Sequence, residues 1–72
     1  MRIDPAARKR GIADEDILHA LRNAFRVYPQ DGWDMIVGAD RSGRMLEVGV
    51  RPDDHDDVVV FHAMPARSRF LR

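Results

Sequence analysis

The chain contains no cysteine. That absence removes disulfides, thiolate metal sites and cysteine nucleophiles together, and it fits a reducing, cytoplasmic setting. No stretch approaches the roughly 18 consecutive apolar residues of a membrane span, and Met1-Arg2-Ile3-Asp4-Pro5 lacks the apolar run of a signal peptide. No membrane association is expected. Glycine and proline are sparse, five and four residues, beside 44% hydrophobic and 33% charged residues, which excludes disordered, collagenous and low-complexity classes. No phosphate loop, Rossmann glycine pattern, HExxH or nucleophile elbow is present, so no cofactor is expected.

What is there amounts to one small domain over residues 1–72. A core this thin predicts added stability from a partner subunit, as a homodimer or other homo-oligomer. The net charge is zero but segregated. Residues 1–10 carry Arg2, Arg8, Lys9 and Arg10 against Asp4, and residues 58–72 carry Arg67, Arg69 and Arg72 with no acid, while eight acids crowd residues 31–57. If the two basic ends meet, a neutral protein still presents a positive patch for phosphates. If they do not, they are solvated termini.

Asp4-Pro5 through Gly11 reads as a short helix, with Asp4 as cap, Pro5 in the first turn and Gly11 as the left-handed stop. A second helix is expected from Asp14 to Ala24. Its first turn is acidic, and Ile17, Leu18, Ala20, Leu21, Ala24 and Phe25 form one apolar stripe. From Phe25 the period changes to two. Strands are expected at Arg26–Tyr28, Trp33–Gly38, Met45–Val50 and Val58–Ala63, giving an α+β fold with N-terminal helices on one face of a three- to four-stranded antiparallel sheet. Reading Asp40-Arg41-Ser42-Gly43 as a type I turn pairs Ala39 with Arg44. That pairing puts Trp33, Met35, Val37, Leu46, Val48 and Val50 on the face covered by Ile17, Leu21 and Ala24. The reverse face then offers Ile36, Met45, Val58 and Val60 to a second subunit, with edge-strand pairing as the competing mode. Pro52 to Asp57 reads as an exposed acidic loop. Its carboxylates around His55 lack the spacing and terminal Glu of an EF-hand, so no specific metal site is expected there.

The candidate chemistry lies at Val58-Val59-Val60-Phe61-His62-Ala63-Met64-Pro65-Ala66-Arg67, an apolar strand that reaches a histidine and stops at a proline before an arginine. With Val50 paired to Val59, His62 lies opposite Glu47. With Val50 paired to Val58, it is buried against Leu46 as a structural residue. In the first register, Glu47, His62 and Arg67 are a reasonable set for cleaving RNA, with groups to take and give a proton and a cation for the phosphorane. Trp33 reads as core, because Met35 and Val37 share its face.

Several segments in order resemble the BrnT family of ribonuclease toxins: Arg8-Lys9-Arg10-Gly11, the acidic-led helix from Asp14, Ile36-Val37-Gly38, Gly43-Arg44-Met45-Leu46-Glu47-Val48, and Val60-Phe61-His62-Ala63-Met64-Pro65-Ala66-Arg67. The likeness spans about residues 8–67. It implies a RelE-like α+β fold and the toxin component of a type II toxin–antitoxin system. Such a toxin is a metal-independent endoribonuclease neutralised by a cognate antitoxin protein. Carried onto this sequence, the resemblance matches Arg8, Lys9 and Arg10 to the family's basic segment and Arg67 to its terminal arginine. Pro65 interrupts the family's last motif, and its C-terminal helix has no counterpart through Arg72. The enzyme reading therefore places Glu47, His62 and Arg67 at the scissile phosphate, with Arg8, Lys9, Arg10 and Arg69 binding RNA. Two other readings are a non-catalytic interaction module, as a homodimer or an antitoxin-like partner binder, and a nucleic-acid-binding accessory without chemistry.

Overall fold

In the computed structural model, which describes residues 1–72, five strands and one helix form an α+β fold. They are β1 (Arg2–Ile3), α1 (Asp14–Arg22), β2 (Ala24–Pro29), β3 (Asp34–Ala39), β4 (Met45–Pro52) and β5 (Val58–Pro65), with 3₁₀ turns at Pro5–Arg8 and Ser68–Phe70. The sheet order is β1-β5-β4-β3-β2. Strands β2 to β5 form an antiparallel meander, whereas β1 joins β5 in parallel, Arg2 and Ile3 beside Val59 and Val60. The expected three- to four-stranded antiparallel sheet is thus corrected to a mixed sheet of five. Two residues carry no readable period, so only docking against β5 makes Arg2–Ile3 a strand. The expected first helix is a single 3₁₀ turn, capped by the Asp4 side chain accepting from Ala6 N–H and stopped at Gly11, where φ is +73°. Helix α1 ends at Arg22, and Ala24 already belongs to β2. No helix is long and apolar enough to cross a membrane.

One residue of hairpin chemistry decides which side chains make the core. Asp40 N–H donates to the Arg44 carbonyl and Gly43 N–H to that of Asp40, with Gly43 at φ +88°. This is a three-residue loop, a type I turn followed by a left-handed glycine, rather than the expected two-residue loop. The buried Asp40 carboxylate fastens it, accepting from Ser42 N–H, Ser42 Oγ and Arg44 N–H. The extra residue pairs Ala39 with Met45, Ile36 with Val48 and Val37 with Glu47. A slip of one residue reverses a strand's faces. Leu46, Val48 and Val50 do face α1, with Ile17, Ala20, Val60, Ala63 and the partly buried Ile36 and Leu21. Met35 and Val37 do not; they lie with Glu47 on the opposite, outer face. Gly38 sits directly beneath α1, where a Cβ would overlap the Ala20 carbonyl.

The outer face is covered by the end of the chain. After β5, Ala66 N–H donates to the Met45 carbonyl, Arg67 bonds to Glu47 on β4, and Phe70 packs edge-on against Tyr28 of β2 with ring centroids 5.5 Å apart. Tyr28 Oη donates to the Phe70 carbonyl at 3.1 Å. This C-terminal strap lies on the outer face, where Met35 shares a groove with Arg67, Arg69 and Phe70, and both Met35 and Val37 are buried. Ile36, Met45, Val58 and Val60 therefore do not form a shared docking face: Ile36 and Val60 belong to the helix-side core, and Met45 lies across from them beside Ala39.

Candidate functional site

The outer face collects the residues with chemistry. Between Gly49 and Val50 the β4–β5 ladder shifts by one: Val50 pairs with Val60, but Gly49 pairs with His62 and Glu47 with Met64. Phe61 is the extra, bulged residue, and such a bulge re-aims the side chains around it. Gly49 makes room for both, since a Cβ there would meet the Phe61 ring at 3.0 Å and His62 Cβ at 3.1 Å. Neither of the two registers open from sequence is adopted. His62 nonetheless lies on the outer face and reaches Glu47 diagonally, its Nε2 at 2.8 Å from Oε2.

Glu47 is fully buried, with 0% exposure, and a buried carboxylate is tolerated only with partners. It accepts four hydrogen bonds: Arg67 N–H at 2.9 Å and Arg67 Nε at 3.0 Å on Oε1, and Arg67 Nη2 at 2.7 Å and His62 Nε2 at 2.8 Å on Oε2. Burial alone pushes its carboxyl up, but the Arg67 side chain, the Arg67 backbone N–H and His62 outweigh that and bring it down to about 2. Glu47 is therefore ionised at neutral pH, and its role is to hold its neighbours rather than to accept a proton.

The carboxylate fixes the histidine tautomer. A carboxylate only accepts, so Nε2 carries the hydrogen and the lone pair of the neutral ring sits on Nδ1. Nδ1 has no partner in the chain, and no buried side-chain nitrogen is left unpaired, so this atom is open to solvent. Arg67 spends Nε and one Nη2 hydrogen on Glu47, leaving three of its five donors free. Its side chain is 44% exposed and that of His62 25%.

Arg67 also forms part of a groove of about 270 Å³ whose other walls include Tyr28, Gln30, Trp33, Arg69 and Phe70. Arg69 stacks on Phe70, 4.9 Å from the ring centroid, and Trp33 meets Phe61 edge-on at 5.4 Å. On the far side of Trp33 a larger groove of about 400 Å³ has Asp34 as well as Arg51 in its wall and no histidine. Its one cation is offset by that carboxylate, whereas the smaller groove carries two arginines and no acid and shares Arg67 with the Glu47–His62 pair.

Of the expected site residues, the fold unites Glu47, His62 and Arg67, with Arg69 on the same strap. Arg8 is instead bound to Asp14 of α1 through Nε and Nη2 at 3.0 and 2.9 Å, and with Lys9 and Arg10 it lies by the helix. The two basic ends do not meet, because strap and helix occupy opposite faces of the sheet. Tyr28, Gln30, Trp33 and Phe70 were not expected in a site. Trp33 read as core because the apolar Met35 and Val37 share its strand face; they do share it, but the three-residue hairpin turns that face away from the helix. The acidic loop is a structural turn, in which the Asp53 carboxylate accepts from the N–H groups of His55 and Asp57. Comparison with protein-family models, curated proteins and solved structures gives no match.

Proposed function

We propose that the outer-face cluster is a metal-independent ribonuclease centre and that the chain acts as the toxin of a BrnT-like, RelE-type toxin–antitoxin pair in the cytoplasm, held by a cognate antitoxin. The observation that carries this reading is the histidine whose tautomer a buried carboxylate sets, with Nδ1 left without a partner and an arginine with spare donors bound to the same carboxylate. In the proposed step, Nδ1 of His62 takes the 2′-hydroxyl proton, O2′ bonds to phosphorus and the P–O5′ bond breaks. The imidazolium returns the proton to O5′, leaving a 2′,3′-cyclic phosphate. Arg67 and Arg69 hold the phosphate oxygens as charge builds on them. Glu47 is a positioning residue.

The test is cleavage of a labelled RNA by purified protein in EDTA. His62→Ala should lower the rate by about 10²-fold or more, with the fold intact by circular dichroism. Full activity in His62→Ala, or none in the unaltered protein, removes the reading.

A non-catalytic interaction module is favoured by a different observation. Strand β2 is an open sheet edge carrying Phe25 and Val27, each 53% exposed, and such edges pair with other chains. Homodimer or antitoxin binding would then occur through β2 rather than through the outer face. Light scattering at micromolar concentration, with and without Val27→Lys, tests it: a dimer that the lysine abolishes supports β2 pairing.

A further inference from the structure

The groove at Trp33 has features that phosphate chemistry alone does not require. Trp33, Tyr28 and Phe70 line it, and each ring is fixed: Trp33 by its edge contact with Phe61, Tyr28 and Phe70 by theirs with each other and by the Tyr28 Oη to Phe70 carbonyl hydrogen bond. Its charged lining residues are Arg67 and Arg69, and no carboxylate lines the groove. Arg69 has no acidic partner; its guanidinium rests on the Phe70 ring. At about 270 Å³ the space falls just under the roughly 300–1,000 Å³ of sites for drug-sized ligands, so it suits a single ring system. Gln30 adds a polar edge. Its Nε2 donates to the Tyr28 carbonyl at 3.3 Å, which leaves Oε1 free to accept.

From this geometry we infer that the groove is a nucleobase slot: one flat base stacks against Trp33 and Tyr28, its edge meets Gln30, and its phosphate lies on Arg67 and Arg69, whose guanidiniums the Phe70 ring backs. The ligand is a nucleotide, free or within an RNA strand. Aromatic faces bind any base through stacking, whereas a side-chain amide distinguishes bases by their donors and acceptors. Arg67 belongs to both the slot and the Glu47–His62 cluster, so a phosphate held there is delivered beside His62. The inference in its RNA form rests on the ribonuclease reading; the slot itself does not.

Trp33 is the only tryptophan, so its emission reports occupancy directly. The unaltered protein is titrated with AMP, GMP, CMP, UMP and, as a base-free control, ribose 5-phosphate. The expected result is quenching by at least one nucleotide with about tenfold or greater preference over ribose 5-phosphate. Arg69→Gln, on the exposed strap, should weaken nucleotide binding and flatten its salt dependence. Gln30→Ala, on an exposed loop, should change the ranking of the four bases. Tighter binding of a non-cleavable 2′-deoxy tetranucleotide than of any mononucleotide assigns the slot to a strand; equal binding assigns it to free nucleotide. Equal affinity for ribose 5-phosphate and all four nucleotides, or no quenching in protein that remains folded, overturns the slot. Nucleotide binding without RNA cleavage keeps the slot and removes the ribonuclease reading. Cleavage with no base preference, unchanged by Gln30→Ala, does the reverse.

Discussion

His62 reaches the Glu47 carboxylate, Nε2 to Oε2 at 2.8 Å, from a position that does not face it: the bulge at Phe61 sets His62 opposite Gly49, while Glu47 pairs with Met64. The contact is diagonal, within the reach of long side chains on one face of an antiparallel pair. Glu47 is thereby tied to two segments at once, β5 through His62 and the strap through Arg67, so its loss should be felt in both stability and site geometry.

The Glu47 carboxyl is lowered in the fold to about 2 from an ordinary value of 4.5. A depressed carboxylate contributes its stability fully above the unfolded value, and that stability is lost as pH falls through the folded one. The loss window is therefore pH 4.5 down to about 2, with a magnitude on the order of 3 kcal/mol. Urea midpoints measured from pH 7 to pH 2 should fall across that window. In Glu47→Gln this fall should shrink, and the variant should be less stable than the parent at pH 7. An unchanged acid limb would show that Glu47 does not drive it.

Two glycine substitutions should differ in cost. Gly38→Ala drives a Cβ into the Ala20 carbonyl, which is backbone and cannot move without shifting α1. A loss of about 3 kcal/mol or more is expected, at or beyond the upper end for overpacking. Gly49→Ala meets the Phe61 ring at 3.0 Å and His62 Cβ at 3.1 Å, both side-chain contacts and milder overlaps than one with backbone. It should cost less, but it should shift Trp33 emission through the Trp33–Phe61 contact. Thermal melts and fluorescence spectra of the two variants check both statements.

Ile17 is fully buried in the cluster that joins α1 to β4 and β5. Ile17→Ala should lower stability by about 2–5 kcal/mol, a large share of what a chain of this size possesses. Leu21→Ala, at a partly buried position, should cost less, and denaturant titration ranks them.

The strap should detach before the sheet unfolds. Phe70→Ala removes the edge contact with Tyr28 and the stacking surface of Arg67 and Arg69, at a cost of about 1–2 kcal/mol. Faster amide exchange at Met35 and Val37, with helix α1 unaffected, is the expected signature. Equal protection in parent and variant would mean that the strap does not shield the outer face.

The sequence by itself determined the α+β class, helix α1 and the four long strands, and it offered His62, Glu47 and Arg67 as residues with chemistry while leaving open the register that brings them together. Those features follow from local information: the period of apolar residues, acidic and glycine stops, and a proline that ends β5 just before an arginine. Tertiary structure decided which face of each strand is inside. Whether Asp40-Arg41-Ser42-Gly43 closes around two residues or three turns on one left-handed glycine, and that single residue moves Trp33 and Met35 from the expected core to the outer face. The Phe61 bulge has the same character, since it exists because Gly49 leaves space across the ladder, a property of two strands together. Strand β1 and the strap have no period of their own and take their conformation from the sheet they dock on. Glu47 shows the limit most directly. Alternation marks it as outward and wet, yet the outward face is dry there, because a chain end some twenty residues later folds back and supplies the donors that make burial of its charge possible.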